Sequence, residues 1–280
     1  MSATLTYVFC LVRSARRPAV PRLPASRMLP GSRNRRAIPA RDDLWLIVAD
    51  VPAGEYDETT LGRGLSDLEW VGRRATAHEA TVEQFLSAKA VLPMQLFTLF
   101  TSEERALQHV DRQRREILGI LNRLQGHVEW GLRLTFDEKA LREAVDAAHR
   151  SAKADGNTGR AVARPSGAGY LARKRDLLDV TRGQLSAARK EADRLFMTLT
   201  REVADARRRT ETEQASAGAR LLLDAAFLVP ATRTRSFRTL VGRHAKTIAA
   251  AGVVVSLTGP WPPYNFIASP PKARAPQAHG

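Results

Sequence analysis

Apolar and polar positions along the chain follow two different periods, which divide it into predicted strands and helices. Continuous apolar runs at residues 5–12 (LTYVFCLV) and 44–51 (LWLIVADV) are typical of buried strands. The run at residues 91–100, VLPMQLFTLF, contains Pro93, which cannot donate a ladder hydrogen bond. It therefore predicts an edge strand or a strand with a break. Strict alternation over residues 126–136 predicts a further strand.

Helical spacing of apolar residues fills the gaps between these strands. One helix is expected to begin after Asp67. A second is expected to begin at the motif TSEE, in which Thr101 would be the N-cap and Glu104 would complete a capping box. The order strand, strand, helix, strand, helix, strand predicts an α+β fold. Residues 1–136 would form a ferredoxin-like sandwich with helices on one face of a small sheet.

Residues 137–280 are predicted to form a second α+β domain with a long helical arm. Residues 154–169 are rich in glycine, proline and small side chains, which is typical of a linker. Apolar residues seven apart then predict a long helix over residues 170–209, although polar side chains interrupt the second position of the seam. The pattern fits either an arm packed within the chain or a coiled-coil dimer. A strand, a helix and a strand are expected over residues 219–258.

A stiff aromatic segment, LTGPWPPYNF at residues 257–266, follows the last predicted strand. Pro262 and Pro263 fix the backbone and remove two donors, so the strand must end there. The three aromatic side chains of the segment would each bury on the order of 150–250 Å². Residues 259–266 are therefore predicted to form a cap. The cap either seals the C-terminal domain or offers part of its aromatic surface to another protein.

The net charge of +15 is concentrated near the N-terminus, where residues 1–41 hold nine arginines and no acidic residue. Residues 13–41 also contain five prolines and no aromatic side chain, which predicts a solvated basic loop without a core. Such a loop is either an insertion tolerated at a strand end or a phosphate-binding segment. Nucleic-acid binding through it is the alternative function. The absence of aromatic residues disfavours base stacking there.

The sequence carries no motif for catalysis, metal binding or cofactor binding. The six histidines lack metal-ligand spacing, and the single cysteine, Cys10, excludes a CxxC site. Neither a P-loop nor a GxSxG motif occurs. His78 lies on the apolar stripe of its helix, which favours a core histidine bonded to the backbone over a catalytic base. No apolar run is long enough for a membrane helix, so we expect a cytoplasmic, non-catalytic protein without cofactor or small-molecule substrate.

Seven stretches of the chain resemble, in the same order, segments of one known protein family. They are TYVFCLV (6–12), DLEWVGRRATAHEATVE (67–83), VLPMQLFTLFTSEE (91–104), LQGHVEWGLRL (124–134), SGAGYLARKR (166–175), LLLDAAFLV (221–229) and LTGPWPPYNF (257–266). In this order they resemble the gas vesicle GvpL/GvpF family over nearly the whole chain. The last of them is the most specific signature.

The resemblance implies a minor, non-catalytic protein that is needed to form gas vesicles, the hollow buoyancy organelles of some prokaryotes. It implies that the chain binds the small hydrophobic shell protein and keeps it from aggregating during nucleation. It also implies contacts with other accessory gas vesicle proteins, and a location in the cytoplasm and at the gas vesicle. The family fold has an N-terminal ferredoxin-like domain and a C-terminal α+β domain with a long helical part.

The chain departs from the family pattern directly after Met94. The family usually has Arg, an aromatic residue and Gly where this chain has Gln95, Leu96 and Phe97. We expect contact with the shell protein at the apolar run of residues 91–100 and at the aromatic cap. The candidate partner-binding residues are Pro93, Met94, Leu96, Phe97, Phe100, Trp261, Tyr264 and Phe266.

Overall fold

The chain forms two compact units, each with an antiparallel arrangement of strands. The computed structural model describes residues 3–137, 167–209, 219–249 and 252–268. Unit 1 comprises residues 1–129 and 260–280, and unit 2 comprises residues 130–259. Sheets with helices in both units confirm the predicted α+β class.

The sheet of unit 1 has the strand order β2-β3-β1-β4, and a fifth strand, β5, also pairs with β1. The strands are β1 (Thr4–Arg13), β2 (Arg33–Pro39), β3 (Leu44–Pro52), β4 (Ala90–Pro93) and β5 (Leu99–Phe100). Strand β1 runs antiparallel to β3, β4 and β5. Because β1 is central, every residue from Tyr7 to Val12 is at most 1% exposed. The continuous apolar run therefore predicted this strand correctly.

Polar side chains cap the N-termini of three of the described helices of unit 1. The helices are α1 (Ala53–Tyr56), α2 (Glu58–Gly64), α3 (Leu68–Val82), α4 (Glu103–Arg112) and α5 (Arg114–Leu124). The Asp67 carboxylate accepts hydrogen bonds from the main-chain N–H groups of Glu69 and Trp70, at 2.9 and 3.1 Å, which fixes the start of α3 as expected. Helix α4 is capped by Ser102 and not by Thr101, so the predicted capping box was wrong by one residue.

The Arg-rich segment 13–41 is not only the solvated loop that its composition predicted. Its last third forms β2, which pairs antiparallel with β3. Leu29 and Ala37 of this segment are 2% and 1% exposed. A few buried apolar side chains and main-chain hydrogen bonds to β3 order this segment. Ion pairs between its arginines and carboxylates on neighbouring elements add to its stability.

The run at residues 91–100 forms two short strands with a break between them, as Pro93 predicted. The Met94 N–H donates to the Phe9 carbonyl at 2.9 Å, and the Val8 N–H donates to the Thr98 carbonyl at 2.9 Å. Both halves thus stay bonded to β1 while the residues between them turn away. Strand β4 lies at the edge of the sheet.

The sheet of unit 2 has the strand order β7-β8-β6-β9. The strands are β6 (His127–Asp137), β7 (Asp205–Arg208), β8 (Ala219–Pro230) and β9 (Val253–Trp261), and the described helices are α6 (Gly167–Thr200) and α7 (Thr234–Ala249). The ring of Phe227 on β8 lies 5.7 Å from that of Phe196 on α6 and 5.6 Å from that of Phe237 on α7. These contacts place both helices against one face of the sheet.

The long helix ends earlier than its heptad pattern predicted. Helix α6 stops at Thr200, and Asp205–Arg208 forms a strand that pairs with β8, although a helix had been expected as far as residue 209. The pairing gives this stretch main-chain partners and alternating faces, which outweighs its helical propensity. The helix also begins at Gly167, inside the predicted linker. The rest of that linker and the helix expected after residue 137 lie outside the described residues.

The C-terminal aromatic segment belongs to unit 1, whereas the sequence pattern placed it on the C-terminal domain. Strand β9 ends at Trp261, immediately before Pro262, as the prolines required. The following residues then pack against elements of residues 1–129, and the boundary between the units falls after Glu129 instead of near residue 136.

Candidate partner-binding surface

The hydroxyl of Tyr7 joins β1 to two other segments of unit 1. It accepts a hydrogen bond from the main-chain N–H of Phe97 at 3.3 Å and lies 2.8 Å from Nδ1 of His78. The tautomer of the imidazole decides which of the two groups donates in this hydrogen bond. The His78 ring in turn packs near that of Tyr264, with the ring centroids 6.4 Å apart. The run 91–100 and the aromatic cap therefore meet at one buried pair.

Burial sets the protonation of the groups around this pair. It lowers the pKa of His78 from 6.5 to about 4, so the imidazole is neutral at neutral pH. It also raises the pKa of Tyr7, Cys10 and Tyr264 well above their usual values. A general base or a nucleophile needs a pKa near the working pH, usually set by a charged neighbour. The arrangement suits packing and hydrogen bonding, and His78 is the core histidine that the sequence favoured.

Phe97 adopts a backbone conformation that is rare for a large side chain. Its φ is +65°, in the left-handed region. This position is one where the resemblance leads us to expect Gly, which adopts such a φ without steric cost. The strain is held by the hydrogen bond to Tyr7 and by the contact of the Phe97 ring with Trp70, at a centroid distance of 5.5 Å. The chain thus accepts backbone strain to place an aromatic ring here.

Trp70 on α3 lies between Phe97 and a buried arginine. The guanidinium carbon of Arg74, one turn later on the helix, is 3.7 Å from the Trp70 ring centroid and 5.4 Å from that of Tyr56. A Cβ atom at Gly64 would lie 2.7 Å from Trp70 ring carbons, so only glycine permits α2 to approach this closely. The indole is therefore fixed by its neighbours before any partner binds.

Three elements of unit 1 hold the aromatic cap. The buried Glu129 carboxylate accepts hydrogen bonds from the main-chain N–H of Asn265 at 2.9 Å and from its side-chain amide at 2.5 Å. Arg123 at the end of α5 donates to the Phe266 carbonyl at 2.7 Å. The third contact is the one between Tyr264 and His78. The Phe266 side chain is fully enclosed.

The predicted partner-binding residues divide into buried and accessible ones. Pro93 and Phe266 are buried, so their side chains support the surface and do not form it. Partial exposure is found for the other six, namely Met94, Leu96, Phe97, Phe100, Trp261 and Tyr264. The structure thus brings the two predicted segments together on unit 1, through Tyr7 and His78.

Sequence reasoning missed four residues beside this surface. Trp70 and Arg74 were assigned only to a helix, although both appear in the stretch DLEWVGRRATAHEATVE. Leu65 and Leu68 are 58% and 82% exposed. The apolar spacing along α3 gave no sign that Leu68, its first residue, stays exposed.

Several arginines of the segment 13–41 are engaged within the protein. Arg13 pairs with Asp43 at 2.8 Å and Arg41 pairs with Asp111 at 3.0 Å. Arg36 bonds both Asp50 and Glu103. These pairs reduce the charge that is available for phosphates, so the alternative of nucleic-acid binding gains no structural support.

No group of three or more histidine, cysteine or acidic residues in the described parts of the chain is arranged to hold a metal ion. In the same parts, none of the helices has the length and apolar character that crossing a bilayer requires.

Comparisons with known proteins agree with the resemblance in the sequence. A sequence model of the family described as "Gas vesicle synthesis protein GvpL/GvpF" matches residues 5–268. A relative named "Gas vesicle protein L", from Streptomyces sp. (strain CB03234), is 29% identical over 228 residues, which is 80% of each chain.

Two solved structures share the fold. The gas vesicle protein GvpF from Anabaena sp. PCC7120 superposes with a TM-score of 0.61 at 14% identity, over 95% of this chain and 97% of that one. GvpF from Microcystis aeruginosa gives a TM-score of 0.57 at 12% identity, over 96% of this chain and 100% of that one. At such identities the likeness establishes the fold alone.

Proposed function

Because this chain belongs to the gas vesicle synthesis protein GvpL/GvpF family, we propose that it binds the hydrophobic shell protein of the gas vesicle and keeps it from aggregating during assembly. The binding surface is the accessible part of unit 1 formed by Met94, Leu96, Phe97, Trp261 and Tyr264. The protein acts without catalysis, in the cytoplasm and at the growing vesicle, and also contacts other accessory gas vesicle proteins.

One observation carries the proposal: two apolar segments far apart in the sequence converge on the Tyr7–His78 pair. Each includes partly exposed aromatic or aliphatic side chains. Removing such apolar side chains from water by contact with an apolar partner lowers the free energy of the complex. Hydrogen bonds from the main-chain N–H groups of Met94 and Phe97 hold the backbone at these residues, so less conformational entropy is lost there on binding.

The physical logic of the function is competition for apolar surface. A shell subunit that exposes apolar side chains or strand edges associates with other copies of itself. A protein that covers this surface transiently lowers the concentration of the unprotected subunit. The covering must be reversible, and a half-buried patch of a few side chains suits moderate affinity better than a deep apolar cleft would.

The experiment measures aggregation of the shell protein from the same organism after dilution from denaturant, followed by light scattering. We expect an equimolar amount of this protein to delay aggregation several-fold. The double variant Met94→Ser with Leu96→Ser should lose most of that effect. A control, Val180→Ser, changes an exposed apolar residue on α6 of unit 2 and should retain it. Equal aggregation with and without the wild-type protein would contradict the proposal.

A further inference from the structure

Arg74 is a buried cation that forms an ion pair with none of the described carboxylates. The residue is only 6% exposed, and its Nε makes no hydrogen bond although the atom is enclosed. Among the described residues, no acidic oxygen lies within ion-pair distance of its guanidinium. The neighbouring Glu69 is engaged with Arg73 instead, at 2.8 Å.

Contacts with aromatic rings offset only part of the cost of burying this charge. Trp70 lies 3.7 Å from the guanidinium carbon, and Tyr56 lies 5.4 Å from it. Such contacts favour a cation, and the Tyr56 side chain also forms a hydrogen bond with Arg74, but the Nε–H group is left without an acceptor. A planar guanidinium held against a ring is already oriented for a bidentate bond to a carboxylate.

Two exposed leucines lie close to Trp70 and Arg74 in the sequence. Leu65 follows Gly64, which abuts the Trp70 ring, and Leu68 opens the helix that carries both Trp70 and Arg74. The two leucines are 58% and 82% exposed. Phe97 completes the group through its contact with Trp70, at the cost of a left-handed backbone. Trp70 therefore contacts both the strained Phe97 and the buried cation, and exposed leucines occur at the start of the same helix and directly before it.

We propose that this group, Leu65, Leu68, Trp70, Arg74 and Phe97, is a docking site for an acidic, amphipathic segment of the shell protein. A carboxylate of that segment pairs with Arg74, and an adjacent apolar side chain packs on the leucines and Phe97. Complementary charge argues for this occupant, because the missing component of the site is an anion. The inference rests on the proposed function and extends it by naming the chemistry of the bound segment.

The test is a double-mutant cycle in the affinity for the shell protein, kept soluble as a fusion. We expect Arg74→Gln to weaken binding about tenfold, because a pair between charged groups is lost. Each acidic residue of the shell protein is changed in turn to its amide. One of these changes should weaken wild-type binding and leave the affinity of the Arg74→Gln variant unchanged. The matched control Arg73→Gln, at the exposed neighbour, should bind within about twofold of wild type.

A second variant protects the test against misfolding of Arg74→Gln. Leu68 is so exposed that Leu68→Ser should fold normally, and we expect it to weaken binding about fivefold. The docking site is overturned if wild type binds and Leu68→Ser binds equally well. It is also overturned if no acidic residue of the shell protein shows coupling to Arg74. Either result leaves the proposed function standing. Absence of any binding by wild type overturns the proposed function itself.

Discussion

Glu129 and Asn265, 136 residues apart in the sequence, are joined by two hydrogen bonds that fix the C-terminal segment to β6. The carboxylate is 3% exposed, so the side-chain amide and the main-chain N–H of Asn265 replace water around a buried charge. This contact explains why a proline-rich segment at the end of the chain has a defined position in unit 1.

We predict that Asn265→Ala lowers the free energy of unfolding by about 2 kcal/mol, because one hydrogen bond to a buried charge is lost. Urea unfolding measures the change. The control is Asn122→Ala, which removes an exposed contact with Arg13 and should cost less than about 0.5 kcal/mol. Equal effects of the two substitutions would show that the cap is not held through Glu129.

Phe97 permits a test of backbone strain, because glycine should give a more stable protein than alanine there, the reverse of their order inside a helix. Because its φ is +65°, we expect Phe97→Gly to be more stable than Phe97→Ala by about 1 kcal/mol. At Thr76, on the exposed face of α3, the alanine variant should exceed the glycine variant by about the same amount. Chemical denaturation measures the free energy of unfolding of the four variants. If alanine and glycine rank in the same order at both positions, the backbone strain at Phe97 is contradicted.

His78 makes stability depend on pH in the acid range. Its pKa is about 4 in the folded protein and 6.5 in the unfolded chain, so between these values the unfolded state binds more protons. Stability should therefore fall as the pH is lowered through 6.5 towards 4, by about 3 kcal/mol from this residue. The His78→Gln variant has no titrating group at this position. It should be less stable than wild type at pH 7, and its free energy of unfolding should fall less than that of wild type as the pH is lowered. Parallel pH profiles for the two proteins would contradict a buried neutral imidazole.

Gly64 and Gly62 provide a matched pair on one helix. A methyl group at Gly64 meets the Trp70 ring at 2.7 Å, whereas nothing lies within 4 Å of one at Gly62. We expect Gly64→Ala to destabilise the protein by about 1–3 kcal/mol and to alter its tryptophan fluorescence. Gly62→Ala should be neutral or stabilising by about 0.5 kcal/mol. An unchanged Gly64→Ala variant would mean that α2 does not confine the indole.

Hydrophobic periodicity predicted most elements, because burial and alternation leave a direct trace in the sequence. The run 5–12 was correctly identified as a buried strand, and the start of a helix after Asp67 was predicted correctly. The early end of α6 was not predictable from local pattern, since Asp205–Arg208 becomes a strand only through its pairing with β8. The same reason applies to β2, whose arginines suggested a loop, because its pairing with β3 and the ion pairs of Arg36 depend on tertiary structure.

The candidate site was predictable only in part. The sequence identified the run 91–100 and the cap as apolar segments, but their meeting at Tyr7 and His78 depends on tertiary structure. The positive φ of Phe97 leaves no mark in a single sequence, because the residue there is not glycine. Arg74 was equally hidden, since a helix with many arginines gives no sign that one of them is buried without a carboxylate.

The most direct test of the account is the affinity of the purified protein for its shell protein, measured for wild type and for the double variant Met94→Ser with Leu96→Ser. We predict saturable binding by wild type and binding at least about tenfold weaker by the double variant, with the fold retained in both. Failure of wild type to bind, or equal affinity of the two proteins, would contradict a partner-binding surface on unit 1.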